Sequence, residues 1–332
     1  MIIVDLVYKE ENILKSVCAV LVTYNRIECL KKVIKGLEQQ THPISRIFVF
    51  NNASTDETLE YLLDNHFKQV VDSSELGKLD EQDTKIVFNS KENLGGSGGF
   101  AKAIGYAENF NYDYIWIMDD DVLPESNCLE LLLKTMRETG TQVALPSRND
   151  ANHQDFICEK MDFSNFLKYC PYSQKIAIQY PLKDDYYFVG DMPFEGPLVE
   201  TKLASKVGVP NAGFFLEYDD SDYAQRLLKY SKIVYVTHAI LHRQLAKKGQ
   251  QRKLKRDRYT WRTYYTLRNN IIFERKYGEN WLVRNVSPRL LLIHKTVKSI
   301  LDGYAKNNLP LLFKAYSDGI HGRMGKRVSP NY

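Results

Sequence analysis

Short apolar runs alternate with amphipathic stretches through the first third of the chain. Residues 17–24 (VCAVLVTY) and 46–51 (RIFVFN) have the length and unbroken hydrophobicity of strands buried on both faces. Between them, residues 26–40 carry apolar side chains at helical spacing, and residues 54–65 do the same behind Ser54 or Thr55, either of which can cap a helix. An acidic, looped stretch at 72–83 leads to a third strand at 85–89. A glycine-rich turn, a helix over about residues 100–110 and a fourth strand at 112–118 follow, the last running into three aspartates. This rhythm predicts an α/β fold, a mostly parallel sheet with helices on both faces. From about 150 to 200 the pattern loosens into a less regular, substrate-facing region. The last ninety residues read as helical, with apolar positions 293, 297, 300, 301 and 304 on one face. There is no internal repeat and no low-complexity linker.

Composition narrows the class. With 332 residues, 44% apolar and 26% charged, the chain has material for about two domains, and a disordered or fibrous protein is excluded. The five cysteines, Cys18, Cys29, Cys128, Cys158 and Cys170, form no Cys-x-x-Cys pair, and their odd number predicts a reducing, cytoplasmic setting. The opening MIIVDLVYKEEN lacks a basic start and a small-residue cleavage site, so no signal peptide is expected. No run reaches the roughly 18 apolar residues of a membrane span. The net charge of +4 is divided unevenly. Residues 1–242 carry 24 Lys and Arg against 36 Asp and Glu; residues 243–332 carry 21 against 5. A segment of net +16 on a body of net −12 calls for an anionic partner, lipid or nucleic acid, or for an acidic surface of its own protein.

Three strands end in polar sequence: Thr23-Tyr24-Asn25-Arg26, Asn51-Asn52-Ala53-Ser54-Thr55-Asp56 and Asp119-Asp120-Asp121. A parallel sheet gathers such ends on one edge, where ligands bind. Adjacent carboxylates repel one another and persist where a divalent cation or several donors neutralise them; a solvated acidic turn is the alternative. Residues 93–100 (NLGGSGGF) let the backbone approach a ligand, and donors at a helix start suit an anion or sugar hydroxyls. They match neither the dinucleotide fingerprint nor the P-loop. Residues 214–226 (FFLEYDDSDYAQR) set four acids behind an apolar run. A carboxylate held near others and beside aromatics can serve as a general base, while acids in a first helical turn are the structural reading. His238 and His242 share one face of a strand expected over 232–242, and spacing does not choose which of them, if either, completes a metal shell.

Together these residues resemble glycosyltransferase family 2, inverting enzymes of the GT-A fold. VTYNR, NNASTD, NLGGSGGF, DDD and FFLEYDDSDYAQR carry the resemblance in order over residues 17–245. Their form, with the aromatic and basic segment at 258–270, is similar to bacterial galactofuranosyltransferases and their rhamnosyltransferase relatives. The resemblance implies a GT-A domain over 1–245, with a nucleotide-sugar half at about 15–150 and an acceptor half at about 151–245. A basic helical region at 246–332 follows, facing a membrane or an oligomer partner.

The resemblance also implies roles. Thr23, Tyr24, Asn25, Arg26, Asn51 and Asn52 would line the nucleotide pocket, Asn93, Gly95 and Gly96 would approach the sugar diphosphate, and Asp120 would face the ribose or sugar. Asp119, Asp121 and His242 would bind Mn²⁺ or Mg²⁺. Asp220, with Asp219 beside it, matches the catalytic base, and Gly196, Pro197 and Glu217 fall on the acceptor side. The donor implied is UDP-galactofuranose, with dTDP-rhamnose as the alternative. Asn51 stands where many members carry Asp, and an amide that both accepts and donates leaves uracil and thymine open. The acceptor implied is a glycan on a polyprenyl diphosphate at the cytoplasmic face of a cell membrane. There, anionic lipids attract each Lys or Arg by about 1 kcal/mol. The competing reading of the tail is that its helices pack on the catalytic domain or form a homo-oligomer contact. A nucleic-acid-binding protein built on the aromatic, basic segment is a further alternative, but it leaves the acidic motifs unexplained, so no nucleic acid partner is expected.

Overall fold

The computed structural model describes residues 14–150, 153–245 and 258–330. The N-terminal stretch 1–12 and the basic run 252–257 lie outside the described residues. The chain begins β1 (Val17–Thr23), α1 (Ile27–Glu38), β2 (Arg46–Asn51), α2 (Thr58–Asp64), β3 (Lys68–Val70), β4 (Lys85–Asn89), α3 (Gly95–Ala107) and β5 (Tyr114–Asp119). Then come β6 (Val122–Pro124), α4 (Cys128–Thr139), β7 (Val143–Ser147), the hairpin of β8 (Cys158–Met161) and β9 (Lys175–Ala177), β10 (Tyr186–Val189), β11 (Leu198–Glu200), α5 (Thr201–Val207), α6 (Asp219–Leu227) and β12 (Ile233–Arg243). Four helices close the chain: α7 (Trp261–Tyr277), α8 (Trp281–Asn285), α9 (Ser287–Leu301) and α10 (Ala305–Ile320).

The main sheet runs β10-β12-β7-β11-β5-β1-β2-β4-β3, with β6 paired to β12. The block β5-β1-β2-β4-β3 is parallel throughout, as the alternation of apolar runs and helices predicts. β11 is the departure: it lies antiparallel between β5 and β7, and its three residues are too few to leave a pattern in the sequence. Residues alternate between two cores. Val20, Phe48 and Ile117 face α3, α5 and α6, while Leu21, Val49 and Trp116 face α1 and α4. Each fully buried side chain of this kind contributes about 2 kcal/mol.

The glycine-rich segment is not a turn before a helix but the first turn of α3 itself. Gly95 sits at φ 75°, and a Cβ there would lie 2.3 Å from the Phe215 carbonyl oxygen. Only glycine permits both that conformation and that approach.

The C-terminal helices pack on the body through aromatic residues. Phe215 joins Tyr264, Tyr265 and Ile271 of α7 in one cluster, and Phe214 and Tyr218 join Phe273 in another. On α9, Ile293, Val297, Ile300 and Leu301 are exposed, Leu301 by 77%. Tyr304, the fifth position of that face, is half-buried beyond the helix end. Among the described residues, no helix is long and apolar enough to cross a membrane.

Candidate active site

A cleft of about 580 Å³ opens beyond the carboxyl ends of β1 and β5 and the start of α3. It has the size of a small-molecule site. One wall comes from the polar strand ends. Asp120 is buried, and its carboxylate accepts from Thr23 Oγ1 (2.8 Å), from the Tyr24 amide (3.2 Å) and from Arg26 Nη1 (2.9 Å). These bonds shape the loop after β1. Asn25, at φ 52°, ties that loop to the next one by accepting from the Thr55 amide at 2.7 Å. Asn52 accepts from the Leu94 amide (2.9 Å) and donates to the Gly95 carbonyl (3.1 Å), and Asn93 accepts from the Gly95 amide (2.8 Å). Thr23, Tyr24, Asn25, Arg26, Asn52, Asn93, Gly95, Gly96, Asp119 and Asp120 all line the cleft.

Asn51 does not join them. It is fully buried, its amide donates to Asn89 Oδ1 (2.8 Å) and its oxygen accepts from the Ser54 amide (3.1 Å). Both ends of the side chain have partners within the protein, and Asn51 is not among the residues that line the cleft where the sequence sets a nucleotide base.

Burial raises the Asp119 carboxyl well above the usual carboxylate range, and the Asp121, Asp120 and Glu195 charges add to it. Arg26 opposes this and also pairs with Asp121 at 3.1 Å. The site is therefore short of positive charge, and its oxygen donors suit a hard divalent cation. The third ligand expected from the sequence does not come with them. His242 places Nδ1 3.0 Å from Asp150 and Nε2 3.0 Å from Glu125. Burial lowers its pKa, but the bonds to Asp150 and Glu125 outweigh burial and raise it. Among the described residues, no three His, Cys, Asp or Glu side chains form a metal-holding group. His238 is exposed, its Nε2 3.2 Å from Asp185.

The opposite wall is irregular. Phe215, Glu217 and Tyr218 all take left-handed φ values, 66°, 65° and 69°, ahead of Asp219 and Asp220 in the first turn of α6. Glu217 Oε2 accepts from Tyr172 Oη and from Thr266 Oγ1, each at 2.7 Å. Burial pushes Asp219 up to about 6 against the pull of the nearby Ser97 hydroxyl. Burial, then Asp219 and Asp191, push Asp220 up to about 8, while Lys175, ion-paired to Asp191, pulls it down. Asp219 is buried and Asp220 half-buried at the edge of the cleft, and Asp219 raises the proton affinity of its neighbour, the property a general base requires.

Gly196 and Pro197 are not part of this wall. The Gly196 carbonyl accepts from the Trp116 indole at 2.8 Å, and its amide and the Pro197 carbonyl pair with Ile117 in the sheet. At φ 89°, a Cβ on Gly196 would come within 2.7 Å of Leu241 and Pro146. The residues just before, Pro193, Phe194 and Glu195, face the cleft instead. Trp261 and Arg262, at the start of α7, also line it. They belong to the aromatic, basic segment that the sequence separates from the catalytic body. A tryptophan inside a basic run was the available signal, but nothing local says where that run folds back.

Known proteins of similar sequence and fold identify the family. The family model of glycosyl transferase family 2 matches residues 18–192, more than half of the chain. The galactofuranosyltransferase GlfT1 of Mycolicibacterium smegmatis is 25% identical over 234 residues, covering 64% of this chain and 65% of that protein. The galactofuranosyltransferase GlfT2 of Mycobacterium tuberculosis is 24% identical over 209 residues, covering 57% of this chain and 31% of that protein. The chain thus spans less than two thirds of the length of either curated relative. Among solved structures, GalNAc-T7 with UDP, GalNAc and Mn²⁺ aligns with a TM-score of 0.54 at 14% identity, over 79% of this chain and 48% of that one. S. aureus TarS 1-349 aligns with a TM-score of 0.50 at 12% identity, over 93% and 82%. The chain belongs to glycosyl transferase family 2 and is a glycosyltransferase; the solved structures share its fold.

Proposed function

We propose that this member of glycosyl transferase family 2 transfers galactofuranose from UDP-galactofuranose to a hydroxyl of a lipid-linked glycan, with inversion at the anomeric carbon. The observation that carries the reading is the meeting, in one cleft, of a polar wall made by strand ends with a pair of desolvated carboxylates. The galactofuranosyltransferase relatives support the donor sugar.

On this reading the donor lies along Thr23–Arg26, Asn52, Asn93, Gly95 and Gly96, where backbone amides and side-chain donors hold its nucleotide and diphosphate. Asp119 and Asp121 are the oxygen donors for Mn²⁺ or Mg²⁺, which when bound supplies positive charge beside the leaving diphosphate. Asp220 takes the proton from the acceptor hydroxyl as that oxygen attacks the anomeric carbon from the face opposite the diphosphate. One bond forms as the other breaks, so configuration inverts without a covalent intermediate. Asp219 keeps the proton affinity of Asp220 high. Glu217, Phe194, Trp261 and Arg262 form the acceptor side, the aromatic rings offering flat apolar faces to sugar rings.

The C-terminal region docks on an anionic membrane surface, where such an acceptor resides. Exposed Ile293, Val297, Ile300 and Leu301 beside Lys295 and Lys298, on a segment of net +16, support this. Two such segments would repel each other in a symmetric dimer.

Calorimetry with Mn²⁺ and a panel of UDP-galactofuranose, UDP-galactopyranose, UDP-glucose and dTDP-rhamnose tests the donor. Preference for UDP-galactofuranose is expected. Preference for dTDP-rhamnose would make this a rhamnosyltransferase with the same base. Flotation with anionic against zwitterionic vesicles tests the membrane face, and equal recovery with both would refute it.

A further inference from the structure

The segment that delivers the base is held in an unfavourable conformation by side chains from a distant helix. Phe215, Glu217 and Tyr218 are bulky residues in the left-handed region, where L side chains crowd the backbone. Such a segment persists only where surrounding contacts over-determine it. The carbonyls of Phe214, Leu216 and Glu217 accept from side chains outside the segment. They are taken up by two adjacent residues of α7, Arg268 and Asn269, both at 0% exposure.

Arg268 Nη2 donates to the Phe214 carbonyl at 2.7 Å and to that of Gly213 at 3.3 Å. Its Nε donates to Asn269 Oδ1 at 2.8 Å, which orients the neighbouring amide. Asn269 Nδ2 then faces the carbonyls of Phe214 (3.1 Å), Leu216 (2.7 Å) and Glu217 (3.0 Å). Among the described residues, no carboxylate forms an ion pair with Arg268. A guanidinium taken wholly out of water donates here to the carbonyls of Gly213, Phe214 and Gly325 and to an amide oxygen, against the faces of Tyr264 and Tyr265, with the Asp318 charge also acting on it. Such a charge is a costly way to fill space, and it is placed where it straightens one short stretch of chain. That stretch also touches the other wall, since the Phe215 carbonyl accepts from the Ser97 amide at 3.3 Å in the first turn of α3.

We propose that Arg268 and Asn269 form a clamp that positions Asp219 and Asp220, so that the C-terminal helix α7 is a working part of the transferase centre and not only an outer layer. The two are positioning residues acting through the backbone of 214–218. The inference rests on the reading of Asp220 as base, and the clamp itself can be tested without it. In Asn269→Ala, the carbonyls of 214, 216 and 217 lose their shared donor and the segment relaxes. In Arg268→Lys the charge remains, but the planar fork that reaches two carbonyls and the amide is gone.

The test combines hydrogen exchange with steady-state kinetics on the full chain. Both variants are expected to exchange faster at amides 214–222 while β1, β2 and β5 keep wild-type protection. Displacement of the base by about 1 Å is expected to lower kcat about 100-fold. Donor KM should stay within about threefold, because the donor wall is untouched. Asn269→Ser, which keeps one short hydroxyl donor, should recover part of the lost rate, and it replaces Asn269→Ala if that variant does not fold. Three results overturn the clamp: wild-type exchange at 214–222 in both variants, faster exchange spread evenly over the sheet, or full kcat in Arg268→Lys. If the wild-type protein transfers no sugar from any donor, the base reading fails, and the exchange pattern still decides whether the clamp exists.

Discussion

The two walls of the cleft are built by different physics. The donor-side wall, residues 23–26, 52, 93–96 and 119–120, stands on the ends of parallel strands, and its loops are tied to one another by short hydrogen bonds such as Thr23 to Asp120. The other wall, residues 193–195, 215–220 and 261–262, has no strand ends to stand on. Three of its residues have left-handed backbones, and its carbonyls are satisfied by side chains of α7. The first wall inherits its precision from the sheet. The second is assembled from segments far apart in the chain, which lets it set a buried carboxylate, Asp219, beside a half-buried one, Asp220, and keep their proton affinity high.

The contrast can be broken most directly at the base. Asp220→Asn should lower kcat by about 1000-fold, within the range a positioned base contributes. Calorimetric affinity for the donor should persist, because the first wall is intact. Turnover comparable to wild type would remove Asp220 from that role. At the seam between the walls, Gly95→Ala sets a Cβ against the Phe215 carbonyl at a positive φ. It should cost about 3 kcal/mol in denaturant unfolding. A loss below about 1 kcal/mol would mean the walls are not pressed together there.

At Asp220, pH acts on activity and on stability with opposite signs. Asp220, pushed up to about 8 by burial and by Asp219 and Asp191, must be ionised to act, so kcat/KM should climb about tenfold per unit until pH approaches 8. Its effect on stability runs the other way. A folded-state pKa above the unfolded one favours folding fully below the unfolded carboxyl value of about 4. That contribution is lost as pH rises through about 8. The melting temperature of Asp220→Asn should therefore gain on that of wild type as pH rises from about 4 to about 8 and hold that margin above it, and equal slopes over that window would contradict the burial argument.

On the donor side, Asp120→Asn loosens the loop of Thr23–Arg26 and should raise donor KM about tenfold with kcat nearly unchanged. The smallest effect is expected at His242. His242→Ala should leave the Mn²⁺ dependence of donor binding within about twofold, since its ring is engaged by Glu125 and Asp150. A large loss of metal affinity would restore it as a ligand.

The donor wall was largely legible before any coordinates. The polar ends of residues 17–24 and 112–118, and the glycines of 93–99, fall on local patterns that dictate strands, a parallel sheet and a cleft at its carboxyl edge. The misreadings on that side are matters of side-chain direction. Asn51 follows its strand correctly but turns to Asn89, because only the neighbouring strand's residue decides which amide is already satisfied. His242 sits in the expected strand, yet two facing carboxylates, Glu125 and Asp150, decide its partners.

Sequence alone determined the family, the sheet and the acidic segment that carries Asp219 and Asp220, because hydrophobic periodicity and short motifs are local and survive without knowledge of neighbours. Tertiary structure alone decided that Gly196 and Pro197 belong to the sheet, that Glu195, Trp261 and Arg262 belong to the cleft, and that Arg268 and Asn269 bond to the carbonyls of Phe214, Leu216 and Glu217. Those assignments depend on which buried donor meets which carbonyl. That pairing is set by long-range packing, where an unmade hydrogen bond is expensive and a made one leaves no mark on the local pattern.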